Sequence, residues 1–188
     1  MTSEDKPMLI TSALAQHQPD ITLLHQQAFN SEAATIQQLL ADFQQDNSAQ
    51  PLMSLVALEG NQVVGNVVFS RARMTGHEAV TAMTLAPLGV LPRYQKQGVG
   101  SQLIKAGLEQ LTAQGVALVF VFGDPAYYQR FGFQAAPRWE LTAPYPIPAP
   151  YAEAWQVLAL QPNVLGTIKG QVQCCAALSR VELWQVEE

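Results

Sequence analysis

Positive charge is scarce in this chain. Ten Lys and Arg stand against fifteen Asp and Glu in 188 residues, a formal net charge of −5. A broad nucleic-acid surface needs clustered cations to neutralise phosphates, so a nucleic-acid partner is not expected. Long apolar runs are missing too: none reaches the ~20 residues that cross a bilayer. The start, Met1-Thr2-Ser3-Glu4-Asp5-Lys6, lacks the basic and apolar regions of a secretory leader. The expected location is cytoplasmic, with no membrane partner. Cysteine is limited to Cys174 and Cys175, adjacent in an apparent strand where neighbours point to opposite faces. They read as reduced thiols, and two residues are too few ligands for a metal site, so no metal is expected.

What is present is apolar mass. Hydrophobic residues make up 48% of the chain and charged residues only 13%, enough for a sizeable core, and the length suits one domain over residues 1–188. An acidic protein of this kind favours a cationic or neutral amine over an anionic partner.

The central stretch is Leu88-Gly89-Val90-Leu91-Pro92-Arg93-Tyr94-Gln95-Lys96-Gln97-Gly98-Val99-Gly100-Ser101-Gln102-Leu103-Ile104. An apolar run ends at a proline, a polar loop follows, and a G-x-G pair opens a segment with Ile104, Leu108 and Leu111 at helical spacing and Leu103 beside them. The first turn of a helix carries unpaired N–H groups and the positive end of the peptide dipole, and glycine lets an anion reach bare backbone. The loop is suited to phosphate. It is not a P-loop, which needs four residues between its glycines and then Lys-Ser or Lys-Thr. Nor is it a dinucleotide fingerprint, because Leu103 stands where the third glycine belongs.

Farther on, Val119 to Phe122 is a short apolar run. Gly123-Asp124-Pro125 then supplies a turn, an N-cap carboxylate and a first-turn proline, predicting a second strand-to-helix junction. It continues Ala126-Tyr127-Tyr128-Gln129-Arg130-Phe131-Gly132-Phe133.

Together these two stretches resemble the GNAT superfamily of acetyl-CoA-dependent N-acyltransferases. Gln95-x-x-Gly98-x-Gly100 is similar to its (Arg/Gln)-x-x-Gly-x-(Gly/Ala) pyrophosphate signature, and Tyr128-x-x-x-Gly132-Phe133 to its Tyr-x-x-x-Gly-Phe ending. The fuller wording resembles the bacterial YhbS-like acetyltransferases, over about Leu9 to Pro148. The resemblance implies an α/β (α+β) GNAT fold, with a mixed central sheet splayed between its two core strands and flanked by helices. It also implies acetyl-CoA as co-substrate, bound by Leu88, Gly89, Val90, Gln95, Lys96, Gln97, Gly98, Val99, Gly100 and Ser101. Backbone groups of Leu88 and Val90 would meet the pantetheine arm, and Tyr128 would serve as general acid toward the departing thiolate. The activity implied is N-acetylation of a small-molecule or peptide amine by a monomer or homodimer. A non-catalytic acyl-CoA-binding regulatory module is the alternative.

The remaining elements follow in order. Met8 to Leu14 predicts a strand. Asp20 opens a helix with Ile21, Leu24, His25 and Ala28 on one face, followed by Phe29. Ser31 is expected to cap a second helix, with Ile36, Leu39, Leu40 and Phe43 buried and Glu32 at its anionic end. Phe29 and Glu32 are the candidate acceptor-side residues. Leu52–Leu58 and Gln62–Ser70 predict a hairpin, and Val80–Val90 completes a meander. Pro87 cannot donate to a ladder and Gly89 tolerates irregular backbone, so strand pairing is expected to fail there. Tyr127 and His25 read as packing residues and Asp124 as a cap. Several GNAT families carry a Glu on the central strands as general base, but Val80 to Ala86 contains no carboxylate. Glu32, His25 and a water chain stay open for that role. The proline-rich segment, about 137–151, reads as a loop lining the acceptor pocket, and Ala154–Leu160 and Gly170–Cys175 as late strands.

Overall fold

The computed structural model describes residues 8–186, so the reading of Met1 to Lys6 lies outside the described residues. Among the described residues nine strands form a mixed sheet: β1 (Leu9–Ser12), β2 (Met53–Glu59), β3 (Gln62–Met74), β4 (Ala82–Val90), β5 (Leu118–Phe122), β6 (Gln134–Ala135), β7 (Leu141–Thr142), β8 (Trp155–Ala159) and β9 (Gly170–Cys174). The main order is β1-β2-β3-β4-β5-β8-β6, while β9 pairs with the far end of β3 and with β7. The helices are α1 (Gln18–Phe29), α2 (Ala33–Phe43), α3 (Val99–Ala113) and the single turn α4 (Pro125–Tyr128). This is the expected mixed α/β architecture. The predicted meander is β2-β3-β4, and the late strands β8 and β9 extend the sheet against β5 and β3.

Strand alternation sets which helix covers which face. On β3, the amide of Asn66 points toward α1, while its neighbour Gly65 faces α3. A Cβ on Gly65 would stand 2.9 Å from the Val99 and Leu103 side chains, so the missing side chain is what lets α3 lie this close. The buried face of α3 runs through Val99, Leu103, Ile104, Gly107 and Leu111, with Leu108 only partly buried. Its centre passes through Gly107, against Phe69, and Leu108 packs against the core at its edge.

One helix start differs from expectation. A 3-10 turn over Asn30–Glu32 links α1 directly to α2, so Ser31 lies inside a helical turn and Glu32 takes the N-cap position of α2 without a side-chain cap bond. The helical path breaks at Asn30, whose φ is 46 and ψ −105, and has resumed by Ser31, so Ser31 is not placed to cap α2.

The splay between β4 and β5 determines the site. These parallel strands pair only over Ala82–Thr84 and Leu118–Phe120, then separate. The gap thus opens at Leu85, two residues before Pro87, where failure of pairing was expected. Pro87 has its effect on the other edge: between the pairs Val67–Leu88 and Phe69–Leu85, Ala86 and Pro87 together oppose Val68 as a bulge. Past the bulge, antiparallel alternation sorts the backbone of β4. The Leu91 N–H donates to the Val64 carbonyl at 2.9 Å, so Gly89 also directs its groups at β3. Leu88 and Val90 therefore turn their N–H and C=O groups into the gap.

Candidate active site

Two concavities meet along β4. Thr84 to Pro87 line one, and Leu88 and Val90 line the other.

The second is a groove of about 540 Å³ over the start of α3. Of the residues expected there from sequence, Leu88, Val90, Gln95, Lys96, Gly98, Val99, Gly100 and Ser101 line it, and Gly89 and Gln97 do not. Gly89 faces away: a Cβ there would be 2.6 Å from His25 Nδ1, behind the strand. Gln97 folds back onto its own loop, its amide donating to the Arg93 carbonyl at 2.7 Å. Gln95 behaves similarly, donating to the Val90 carbonyl at 3.0 Å. That bond occupies the Val90 oxygen and leaves its N–H facing the gap. Gly98, at φ +85, turns the chain into α3 in the left-handed conformation that glycine adopts without strain.

Sequence reasoning missed Tyr127 and Arg130. Tyr127, read as packing, lines the groove with its hydroxyl against Gly100, where a Cβ would stand 2.6 Å away. Burial raises its phenol above the usual value, with Ser101 and Arg130 opposing. Arg130 donates from Nε to the Tyr127 carbonyl at 3.1 Å and holds its guanidinium 4.4 Å from the Tyr127 ring centre. The groove thus carries two cations, Lys96 and Arg130, with no carboxylate among its lining residues. Their i, i+3 spacing put Tyr127 and Arg130 on one side of the turn, a signal the sequence did contain.

The first concavity, about 550 Å³, is mostly apolar. Ile36 and Leu39 of α2, Thr84 to Pro87, Phe122 to Pro125 and Leu183 to Val186 form its walls, with Glu32, Tyr151 and Asp124 among the lining residues. Of the expected acceptor residues, Glu32 lines it. Phe29 does not, and stacks on His25 with ring centres 5.5 Å apart. From the proline-rich segment only Tyr151 reaches this cavity, with Ala154 just beyond it; Tyr145 lines a separate one. Asp124 accepts from the Ala126 N–H at 2.9 Å, the cap expected of it. Leu183 and Trp184 end a short 3-10 turn, Val181–Trp184, too brief to leave a periodic pattern in the sequence that would mark it as part of a site.

Tyr128 borders neither concavity directly. Its ring lies against Gly123, a cavity residue, and edge-on to Tyr127, a groove residue, with Phe133 on another side. Burial pushes its phenol well above the ordinary value.

His25 is fully buried. Asn66 gives both amide hydrogens away, to Ser54 Oγ at 3.0 Å and the Leu55 carbonyl at 2.9 Å, so its oxygen must accept from His25 Nε2–H at 2.9 Å. Burial lowers the imidazole from 6.5 to about 4, with the Asn66 bond opposing, so the ring is neutral near pH 7. It lies outside the lining of the cavity. Burial also pushes Cys174 up to about 12, with the Thr84 hydroxyl opposing, and raises Cys175. Both thiols are free and neither lines the groove or this cavity. Among the described residues no group of three or more His, Cys, Asp or Glu is placed to hold a metal. No helix there is long and apolar enough to cross a membrane.

A splayed β4/β5 pair with a glycine-opened helix start at its edge defines the class. The chain belongs to the GNAT acetyltransferase family, whose domain model matches residues 11–136. It is 38% identical over 148 residues to the Escherichia coli K12 protein called uncharacterized N-acetyltransferase YjhQ, covering 78% of this chain and 79% of that one. It is 34% identical over 167 residues to uncharacterized N-acetyltransferase YhbS of the same strain, covering 88% and 95%. Among solved structures, E. coli YhbS in complex with CoA superposes with a TM-score of 0.85 at 31% identity, covering 96% of each chain. A Brucella melitensis GNAT acetyltransferase in complex with acetyl-CoA gives 0.74 at 30% identity, covering 92% and 99%.

Proposed function

We propose that this protein is a cytoplasmic, single-domain N-acetyltransferase that moves an acetyl group from acetyl-CoA directly to a primary amine. The observation that carries the reading is β4 itself, which presents the Leu88 backbone and the Val90 N–H toward a cationic groove and continues as the wall of an apolar cavity. CoA fits this arrangement. Its pyrophosphate suits the N–H groups of Gly98 to Ser101 with Lys96 and Arg130 nearby, and its pantetheine amides suit strand-like pairing with Leu88 and Val90. The relatives solved with CoA and acetyl-CoA support the assignment.

When bound, acetyl-CoA supplies a thioester whose C–S bond breaks as the amine forms a C–N bond, one amine proton being released and the thiolate gaining one. The chain's residues serve each need. The Leu88 N–H, the backbone donor nearest the cavity, donates to charge developing on the carbonyl oxygen, leaving the Leu88 carbonyl and the Val90 N–H for the pantetheine amides. Tyr128, protonated at any working pH because burial raises its phenol, is the general acid toward sulfur. Its ring lies against Gly123, which lines the cavity. β4 carries no carboxylate, and His25 is buried, leaving Glu32, Asp124 or water to take the amine proton.

A non-catalytic acyl-CoA-binding module is the second reading, favoured by the position of Tyr128 outside both concavities. Acetyl-CoA-dependent release of free thiol across an amine library separates the two. Turnover with any amine supports the enzyme, and tight acetyl-CoA binding without turnover supports the module.

A further inference from the structure

The cavity beyond Pro87 restricts the amine. Its walls are aliphatic and aromatic, from Ile36, Leu39, Leu85, Phe122 and Trp184, and its charged lining residues are Glu32 and Asp124. Among the described residues no Lys, Arg or His lines it. We infer that the acceptor is a primary amine with an apolar, ring-sized body and no carboxylate, as in an arylalkylamine; this rests on the acetyltransferase reading above.

Three physical arguments lead there. A volume of about 550 Å³ lies within the usual range for a small-molecule pocket, and an apolar body gains by leaving water for those walls. The two carboxylates attract the ammonium form that predominates in solution and leave it where its proton can depart. An acceptor carboxylate would meet two like charges and no cation, losing hydration without a partner. Amino acids and acidic peptide termini are therefore poor acceptors. The groove has the opposite character, cationic and without carboxylates, which keeps the anionic co-substrate and the amine in separate compartments.

The test uses matched amines. Phenethylamine and phenylalanine differ by one carboxylate, and ethanolamine keeps the amine without the ring. The expected order in kcat/KM is phenethylamine above ethanolamine by about tenfold or more, and above phenylalanine by about a hundredfold or more. Calorimetry of phenethylamine added to the CoA-bound protein supplies a readout independent of turnover: binding should be seen there, and phenylalanine should give none. Ile36→Lys, at a half-buried lining position, should cut phenethylamine kcat/KM at least tenfold with acetyl-CoA affinity unchanged. Equal or better use of phenylalanine or ethanolamine would overturn the inference. So would failure of phenethylamine either to bind or to react in a protein that binds acetyl-CoA. Failure to bind acetyl-CoA at all would instead refute the acetyltransferase reading beneath it.

Discussion

The groove and the cavity share a strand but are built differently. Most of the groove comes from residues 88–101, one strand end, one loop and one helix start, with Tyr127 and Arg130 added from a single turn. The cavity draws on α2, β4, the β5–α4 junction, the proline-rich segment and residues 178–186. A phosphate site can be local because backbone N–H groups at a helix start do the binding. A pocket for an apolar ligand needs walls on several sides, and a chain supplies those only by folding distant segments together.

The contrast can be tested by damaging one compartment and reading the other. The largest effect is expected from Gly100→Glu, which places bulk and negative charge at the start of α3, where the first side-chain atom already meets the Tyr127 hydroxyl. Acetyl-CoA affinity should fall about a thousandfold or more by calorimetry, with the protein still folded. Unchanged affinity would remove the groove from cofactor binding.

Next comes His25, which lies behind β4 at Gly89, between the groove residues Leu88 and Val90. Its pKa is lowered from 6.5 to about 4, so the folded state refuses a proton that the unfolded state accepts. The stability contribution is whole above pH 6.5, is lost as pH falls toward 4 and is flat below, a change of about 3 kcal/mol. Denaturant titrations at pH 7 and 4.5 should show most of that loss, and His25→Gln, which keeps an N–H donor for Asn66, should flatten it. An equal pH slope in the variant would show that other groups cause it.

Tyr128→Phe sharpens the contrast differently, because the ring still packs against Gly123 and Phe133 while the hydroxyl is gone. Turnover should fall about a hundredfold, within the span of general-acid effects, with acetyl-CoA affinity unchanged. Wild-type turnover, with chemistry shown to limit the rate, would take Tyr128 out of the mechanism.

The smallest effect expected is Arg130→Gln, weakening acetyl-CoA about tenfold at low salt and less at high salt, as for an exposed cation near phosphate. A loss independent of salt would point to packing against Tyr127 instead.

The same contrast explains what could be read from sequence. The phosphate loop was legible because its chemistry lies in consecutive residues, and the sheet because β2 and β3 are apolar runs around the turn at Gly60 and β4 ends at the phosphate loop. Gly89 and Gln97 were misplaced because a motif gives no side-chain direction: pairing with β3 fixes one, and a bond to Arg93 the other. Tyr127 and Tyr128 are adjacent on one turn, and which of them faces the groove depends on how α4 sits against α3. Ser31 was misread because the break between α1 and α2 falls at Asn30, and two neighbouring polar residues that can both cap a helix look alike in the sequence. The walls formed by Leu183 to Val186 carry no periodicity, so nothing in the sequence tied them to a cavity framed by Ile36 and Phe122.

The most direct test of the account is a crystal structure of the protein soaked with CoA. The pyrophosphate should lie within hydrogen-bond distance of the Gly98 to Ser101 N–H groups. The pantetheine amides should pair with Leu88 and Val90, and the sulfur should sit beside Pro87 where groove and cavity meet. CoA bound elsewhere, or a pantetheine arm that stays outside the β4/β5 gap, would contradict it.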